Sequence, residues 1–220
     1  MADAAEQPYT AIMQEKKFSK TMLGDNVALY MSVQEVAALH IAKRLARYQS
    51  CVELCTAVGA LAIQVARFIP RVTGVDIDPR RLECAKRNAE TYGVEDRIEF
   101  IAGDVLDEEL LNSITADIAI LDPDWSTEVV EKSAHAIDID KMQPSLRQMV
   151  LLTRKRVTSN IVMRIPRYFD IETLGEFGPH ELESIFIDGR LRFKVAYFLP
   201  EIQSARETSI YLNGLGWIFH

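Results

Sequence analysis

Four acidic residues in this chain stand at one kind of place, within or just after a short apolar run. The first run, Cys51-Val-Glu-Leu-Cys55, carries Glu53 and leads through Thr56, Ala57 and Val58 to Gly59 and Ala60, where a helical pattern opens. An acid, a tight turn and a helix N-terminus in that order suit a loop that holds a nucleotide-type ligand. The second run, Arg71–Val75, is followed by Asp76-Ile77-Asp78; an acid about 20 residues beyond such a loop can bond ribose hydroxyls. The third, Ile98–Ala102, is followed by Gly103-Asp104-Val105, where a carboxylate can meet an adenine amino group. The fourth, Asp117–Leu121, is followed by Asp122-Pro123-Asp124-Trp125, which offers carboxylates and an indole face.

These residues need a scaffold that brings strand ends together. The four runs read as strands, and the stretches between them read as helices over Gly59–Phe68, Asp78–Tyr92 and about 107–113. Asp78-Pro79 supplies an N-cap and a first-turn proline, and Gly93 a stop. Upstream, Ser32-Val-Gln-Glu35 matches a capping box that opens a helix over about 33–48. Downstream come a loop to about 143, a helix to about Lys155, a strand over Asn160–Ile165, and two strands, Glu181–Asp188 and Arg192–Leu199, joined at Asp188-Gly189. Strands alternating with helices predict an α/β fold with a mostly parallel sheet covered on both faces. In such sheets, ligands bind beyond the carboxyl ends of the strands.

Composition narrows the class. A chain of 220 residues with 48% apolar and 26% charged residues makes one ordinary domain with a substantial core. No apolar run reaches the length of a spanning helix, and the polar N-terminus has no signal core, so a cytoplasmic location is expected. Cys51, Cys55 and Cys84 are too few for a disulfide framework, and the first two read as core packing. No histidine has metal spacing, and His40 reads as helix packing. The net charge of −7 disfavours a whole-surface grip on nucleic acid. Residues 101–150 alone carry 3 basic against 11 acidic side chains, which predicts an acidic rim around Asp104, Asp122 and Asp124.

The ordered set of strand-end motifs resembles the class I S-adenosylmethionine-dependent methyltransferases, a Rossmann-like fold. Within them it is most similar to the RNA cap guanine methyltransferases, the trimethylguanosine synthase family. The segment VTGVDIDPRRLECAKRNAETYGVEDRIEFIAGDV carries the likeness most closely. Phe18-Ser-Lys20, Leu29-Tyr30, His40-Ile-Ala42 and Asn160-Ile-Val-Met-Arg-Ile-Pro166-Arg167 extend it over roughly residues 16–200.

The resemblance implies a seven-stranded sheet with an antiparallel C-terminal hairpin and a methyltransferase domain over 32–200. A lead-in of 1–31 would precede it and an apolar extension of 201–220 would follow. It implies S-adenosylmethionine as cofactor, held by Glu53, Thr56, Ala57, Gly59, Asp76, Ile77, Asp104 and Val105. Asp122, Pro123, Asp124 and Trp125 would hold and activate an amine, with Trp125 stacking on a base and Arg167 and Lys20 meeting substrate phosphate. The family has glycines where this chain has Ala57 and Ala60, a proline where it has Asp124, and glycines where it has Ser126-Thr127. The aspartate frees the loop, adds a charge and has the chemistry of a general base; it would also repel a cap triphosphate.

Three functions remain in view. The first is methylation of an amine on a guanine-like base in RNA or a nucleotide. The second is methylation of a small metabolite or a protein side chain, which the acidic charge favours. The third is a degenerate binding or assembly subunit. Bland alternatives stand beside several residues: Trp125 as a loop plug, Arg167 and Lys20 as solvated charges, and Glu53 as a loop cap. The C-terminal tail reads as an added strand or a contact between copies of the chain.

Overall fold

The computed structural model describes residues 17–124, 139–140, 142–169 and 171–215. Helix α1 (Asn26–Met31) and helix α2 (Glu35–Arg44) precede the first strand. Then follow β1 (Ser50–Leu54), α3 (Ala60–Ala66), β2 (Arg71–Asp76), α4 (Pro79–Tyr92), β3 (Ile98–Ala102), α5 (Glu108–Ser113) and β4 (Ile118–Leu121). The second half contributes α6 (Leu146–Arg156), β5 (Ile161–Pro166), β6 (Glu181–Ile187), β7 (Arg190–Phe198) and β8 (Arg206–Leu212).

The strands form one sheet in the order β3-β2-β1-β4-β5-β7-β6-β8. Strands β1 to β5 run parallel, and β7 pairs antiparallel with β5 and β6. β1, β4 and β5 are buried along their whole length, as strands covered on both faces must be. The hairpin between β6 and β7 turns on Asp188 at φ 51° and Gly189 at φ 72°, the double left-handed turn that matches strand twist. The sheet has eight strands rather than the expected seven: Arg206–Leu212 adds to the outer edge, parallel to β6. Its alternation of polar and apolar residues, ending in Ile210-Tyr-Leu212, suits that edge, and Tyr211 stacks on Phe186 with centroids 4.7 Å apart. Among the described residues, no helix is long and apolar enough to cross a membrane.

The capping box expected at Ser32–Glu35 does not form. Ser32 instead closes α1, its hydroxyl donating to the Ala28 carbonyl at 2.6 Å. The Glu35 carboxylate is drawn away by stronger partners, accepting from the Ser19 backbone at 2.6 Å, the Ser19 hydroxyl at 2.7 Å and the Tyr92 hydroxyl at 2.8 Å. α2 therefore starts at Glu35 without a side-chain cap. His40, expected as packing, pairs with Glu183 at 3.0 Å, and Tyr197 donates to the same carboxylate at 2.9 Å. This fastens α2 to β6 and β7.

The segment before α2 is pinned by Asn88 of α4, which is fully buried. Its Nδ2 donates to the carbonyls of Leu23 at 2.9 Å and Val58 at 3.0 Å, and its Oδ1 accepts from the Leu23 amide at 2.7 Å. One side chain thus joins the N-terminal segment, α4 and the loop after β1. Replacing it leaves one buried and two part-buried backbone groups without this partner, and a buried group so stranded costs about 1–3 kcal/mol. Asn88→Ala is expected to lower unfolding stability by at least about 2 kcal/mol in urea denaturation. A midpoint equal to that of the unsubstituted protein would contradict this role.

Candidate active site

The sheet order reverses between β2-β1 and β4-β5, and a cleft opens at that switch point. Its floor comes from the carboxyl ends of β1, β2 and β4, contributing Glu53, Asp76, Asp122, Pro123 and Asp124, together with Arg164 of β5. Its wall is α1, through Val27, Ala28 and Met31, with Arg81 of α4 nearby.

Three residues of the loop after β1 have left-handed backbones: Cys55 at φ 69°, Ala57 at φ 48° and Gly59 at φ 79°. Glycine suits Gly59, where a Cβ would lie 3.2 Å from the Ala85 methyl. Ala57 adopts the conformation despite its methyl because Asp76 holds it. The Asp76 carboxylate accepts from the Ala57 amide at 2.7 Å through one oxygen and from the Asp78 amide at 3.0 Å through the other. Asp76 is thus a backbone anchor for both loops while still lining the cleft.

Glu53 is a second anchor. It is 2% exposed and accepts from the Thr56 hydroxyl and from the Ala62 amide at 3.0 Å, capping the loop and the start of α3. Burial, reinforced by the Asp122 charge, pushes Glu53 up to about 8 from an ordinary 4.5.

Asp122 follows β4, and Arg164 reaches it from β5, Nε to Oδ1 at 2.7 Å, with both side chains about nine-tenths covered. Burial raises the Asp122 carboxyl above its ordinary value while Arg164 pulls against that rise. Arg164 also donates to the Met31 carbonyl at 3.1 Å, joining the floor to the wall. Asp124 follows on the exposed side and is held through its backbone, its amide donating to the Gln143 carbonyl at 3.2 Å.

The wall is fixed at both ends. Asp25 caps α1 by accepting from the Ala28 amide at 2.8 Å and pairs with Arg81 at 2.9 Å. Lys17 donates to the carbonyls of Leu29 at 2.9 Å and Ser32 at 2.8 Å, and also to that of Tyr30. Burial, with Arg164 and Arg192 nearby, pulls the Lys17 amine down to about 7.

The structure therefore brings Glu53, Thr56, Ala57, Asp76, Asp122, Pro123 and Asp124 to one cleft. Gly59 shapes the loop from behind it. Ile77 is 72% exposed and Val105 buried, and neither lines the cleft. Asp104 is exposed and turns back to accept from the Leu106 amide at 2.8 Å. Trp125 lies outside the described residues. Arg167 is exposed and rests over the exposed Tyr168 ring at 4.7 Å, away from the cleft lining. Lys20 is not brought to the cleft either: it donates to the Thr91 carbonyl at 2.8 Å beside the Tyr92 ring. The arginine at the centre, Arg164, escapes a reading based on strand ends. Its signal is a lone charge in the apolar run Ile-Val-Met-Arg-Ile, which demands a buried acid.

The expected acidic rim exists with a different origin. Among the described residues of the acidic stretch, Asp122 and Asp124 line the cleft; Asp107 caps α5, Glu108 pairs with Lys155 and Arg156, and Asp117 accepts backbone amides at the amino end of β1. Among the described residues, four carboxyl groups from three strand ends, Glu53 among them kept protonated at neutral pH by burial, face two guanidiniums there. This lining fits S-adenosylmethionine, which carries a sulfonium and an ammonium. Glu53, Asp76 and the loop from Cys55 to Gly59 would hold it, and when bound it supplies an electrophilic methyl group.

Because its folded-state value is raised, Glu53 contributes stability that is fully present below about 4.5 and lost as pH rises through about 8. The limiting slope is about 1.4 kcal/mol per pH unit. Denaturant midpoints of Glu53→Gln, measured from pH 5 to 9, should lack this decline relative to the parent. Parallel profiles would show that Glu53 carries no such proton.

Comparison with known proteins agrees with the geometry. The family model for RNA cap guanine-N2 methyltransferases matches residues 48–205. The trimethylguanosine synthase of Schizosaccharomyces pombe is 24% identical over 169 residues, covering 74% of this chain and 70% of that one. The tRNA1(Val) (adenine(37)-N6)-methyltransferase of Porphyromonas gingivalis is 35% identical over 95 residues, covering 41% of this chain. The matched stretch spans 36% of the length of that relative. A crystal structure from Porphyromonas gingivalis W83, assigned as a methyltransferase, superposes with a TM-score of 0.67 at 14% identity, covering 80% of this chain and 43% of its own, and so shares the fold. With a family match across most of the sheet and a cleft lined as that chemistry requires, the chain belongs to the RNA cap guanine-N2 methyltransferase family, enzymes of the class I fold that use S-adenosylmethionine.

Proposed function

We propose that this protein transfers a methyl group to an amine nitrogen on a purine base, in RNA or a nucleotide. The observation that carries this reading is the placement of Asp122 and Pro123 beyond β4, in the same cleft as the loop anchored by Glu53 and Asp76. A carboxylate followed by a proline carbonyl offers two acceptors for the N–H groups of a planar amine. In-line transfer needs little beyond alignment and exclusion of water, and holding two partners in register can supply most of the barrier reduction. The family match supports a nucleobase acceptor. Arg167 with Tyr168 and the exposed Tyr30 stand outside the cleft, where cationic and aromatic side chains suit a strand of RNA.

A second reading rests on the cleft charge. Asp76, Asp122 and Asp124 against Arg81 and Arg164 suit a neutral or cationic acceptor, such as a small amine or a protein side chain, with Asp124 as base.

Methyl incorporation into a guanosine-capped oligonucleotide, transfer RNA, polyamines and unmodified protein separates these readings. The nucleobase probes are expected to accept. Asp122→Asn should lower that rate on the order of 100-fold, the typical loss of one polar contact made at the reacting group, while calorimetry shows unchanged cofactor affinity. Acceptance by polyamines or protein alone, or full activity in Asp122→Asn, would refute the nucleobase reading.

A further inference from the structure

We propose that Arg164 is a positioning residue for methyl transfer, holding Asp122 ionised and in register with α1 so that its carboxylate can accept the acceptor's N–H. The inference rests on the amine reading above. It starts from a conflict in the sequence: where the resemblance expects a second proline, this chain has Asp124, which places another negative charge beside Asp122. Glu53 adds a third carboxyl on the other side. Two carboxylates sharing a site favour protonation of one. A protonated Asp122 would present a donor where the amine needs an acceptor.

Arg164 answers that conflict. Its side chain is buried on β5, opposite Val195 of β7, with the guanidinium over the Phe193 ring at 5.5 Å. The two directions of its planar fork are put to different uses: Nε holds Asp122 Oδ1 and Nη2 holds the Met31 carbonyl. Among the described residues, the hydrogen bonds to the Asp122 side chain are made at Oδ1, which leaves Oδ2 for an acceptor N–H. A lysine ammonium could supply the charge without spanning both partners. Among the described residues, the other titratable groups that act on this pair are Glu53 from β1, Cys55 from the loop after it, Asp124 from the loop after β4 and Lys17 from the N-terminal segment, which in turn faces Arg192 of β7.

The test reads Asp122 directly. In the full chain labelled with carboxyl-13C aspartate, the Asp122 resonance is assigned by its loss in Asp122→Asn and titrated with and without Arg164→Gln. The Asp122 midpoint should rise by about one to three pH units in Arg164→Gln. The acid limb of methyl transfer to a capped oligonucleotide should move with it. Arg164→Lys should restore the midpoint while the rate stays on the order of 10- to 100-fold down, because the tie to Met31 is lost. An unchanged midpoint in folded Arg164→Gln overturns the inference, and so does a wild-type rate in Arg164→Lys. If Arg164→Gln does not fold, the lysine variant alone decides. The titration needs no acceptor, so inactivity of the parent protein towards every nucleobase probe would count against the amine reading separately.

Discussion

A charge taken out of water must meet its opposite, and the buried pair of Arg164 and Asp122 is where this fold meets that demand. Removing two charges from water is expensive, and the attraction between them offsets it only when the geometry is close and the remaining donors are used. Here the contact is 2.7 Å, and a second donor of the same guanidinium is taken by the Met31 carbonyl. The pair therefore joins three elements distant in sequence: the loop after β4, strand β5 and the end of α1. Asp76 and Glu53 repeat the logic on the cofactor side with backbone amides as partners. Three of the carboxyl groups of the cleft, Glu53, Asp76 and Asp122, are thus covered and held by different donors.

The sheet was legible in the sequence because its signals are local. Apolar runs of four to six residues, Asp78-Pro79 and Gly93 around α4, and Asp188-Gly189 in the hairpin each act within a few positions. The anchors of the cleft were legible as positions because ligands gather beyond strand ends, so Glu53, Asp76 and Asp122 could be named from order alone. Ser32–Glu35 misled for the opposite reason. A capping box is a local bargain, and Glu35 found partners in Ser19 and Tyr92, one upstream and one 57 residues away. Arg164 and the wall formed by α1 went unread because their roles exist only once distant segments meet. Lys20 sits beside Lys17 in one basic cluster, and both turn to backbone carbonyls, which the sequence does not announce.

Charge counting was informative in sum and misleading in detail. The stretch 101–150 holds most of the acidic excess, but much of it serves as caps and surface pairs. What gives the cleft its sign is convergence: one or two carboxyl groups from each of several strand ends, with Asp122 and Asp124 of the acidic stretch joined by Glu53 and Asp76 from a quarter of the chain that is nearly neutral overall. A parallel sheet with its loops on one edge performs this gathering whatever the linear distribution.

The hydrogen bond from Arg164 to the Met31 carbonyl spans 133 residues, and the ties of Asn88 to Leu23 span 65. Contacts of such reach close late, because a long loop must be ordered before they form. During synthesis the wall of the cleft emerges before β5, whose Arg164 supplies one of its fastenings. The segment before β1 thus depends for its fastening on a strand far downstream, and a ligand that binds the closed cleft favours the state in which that segment is in place.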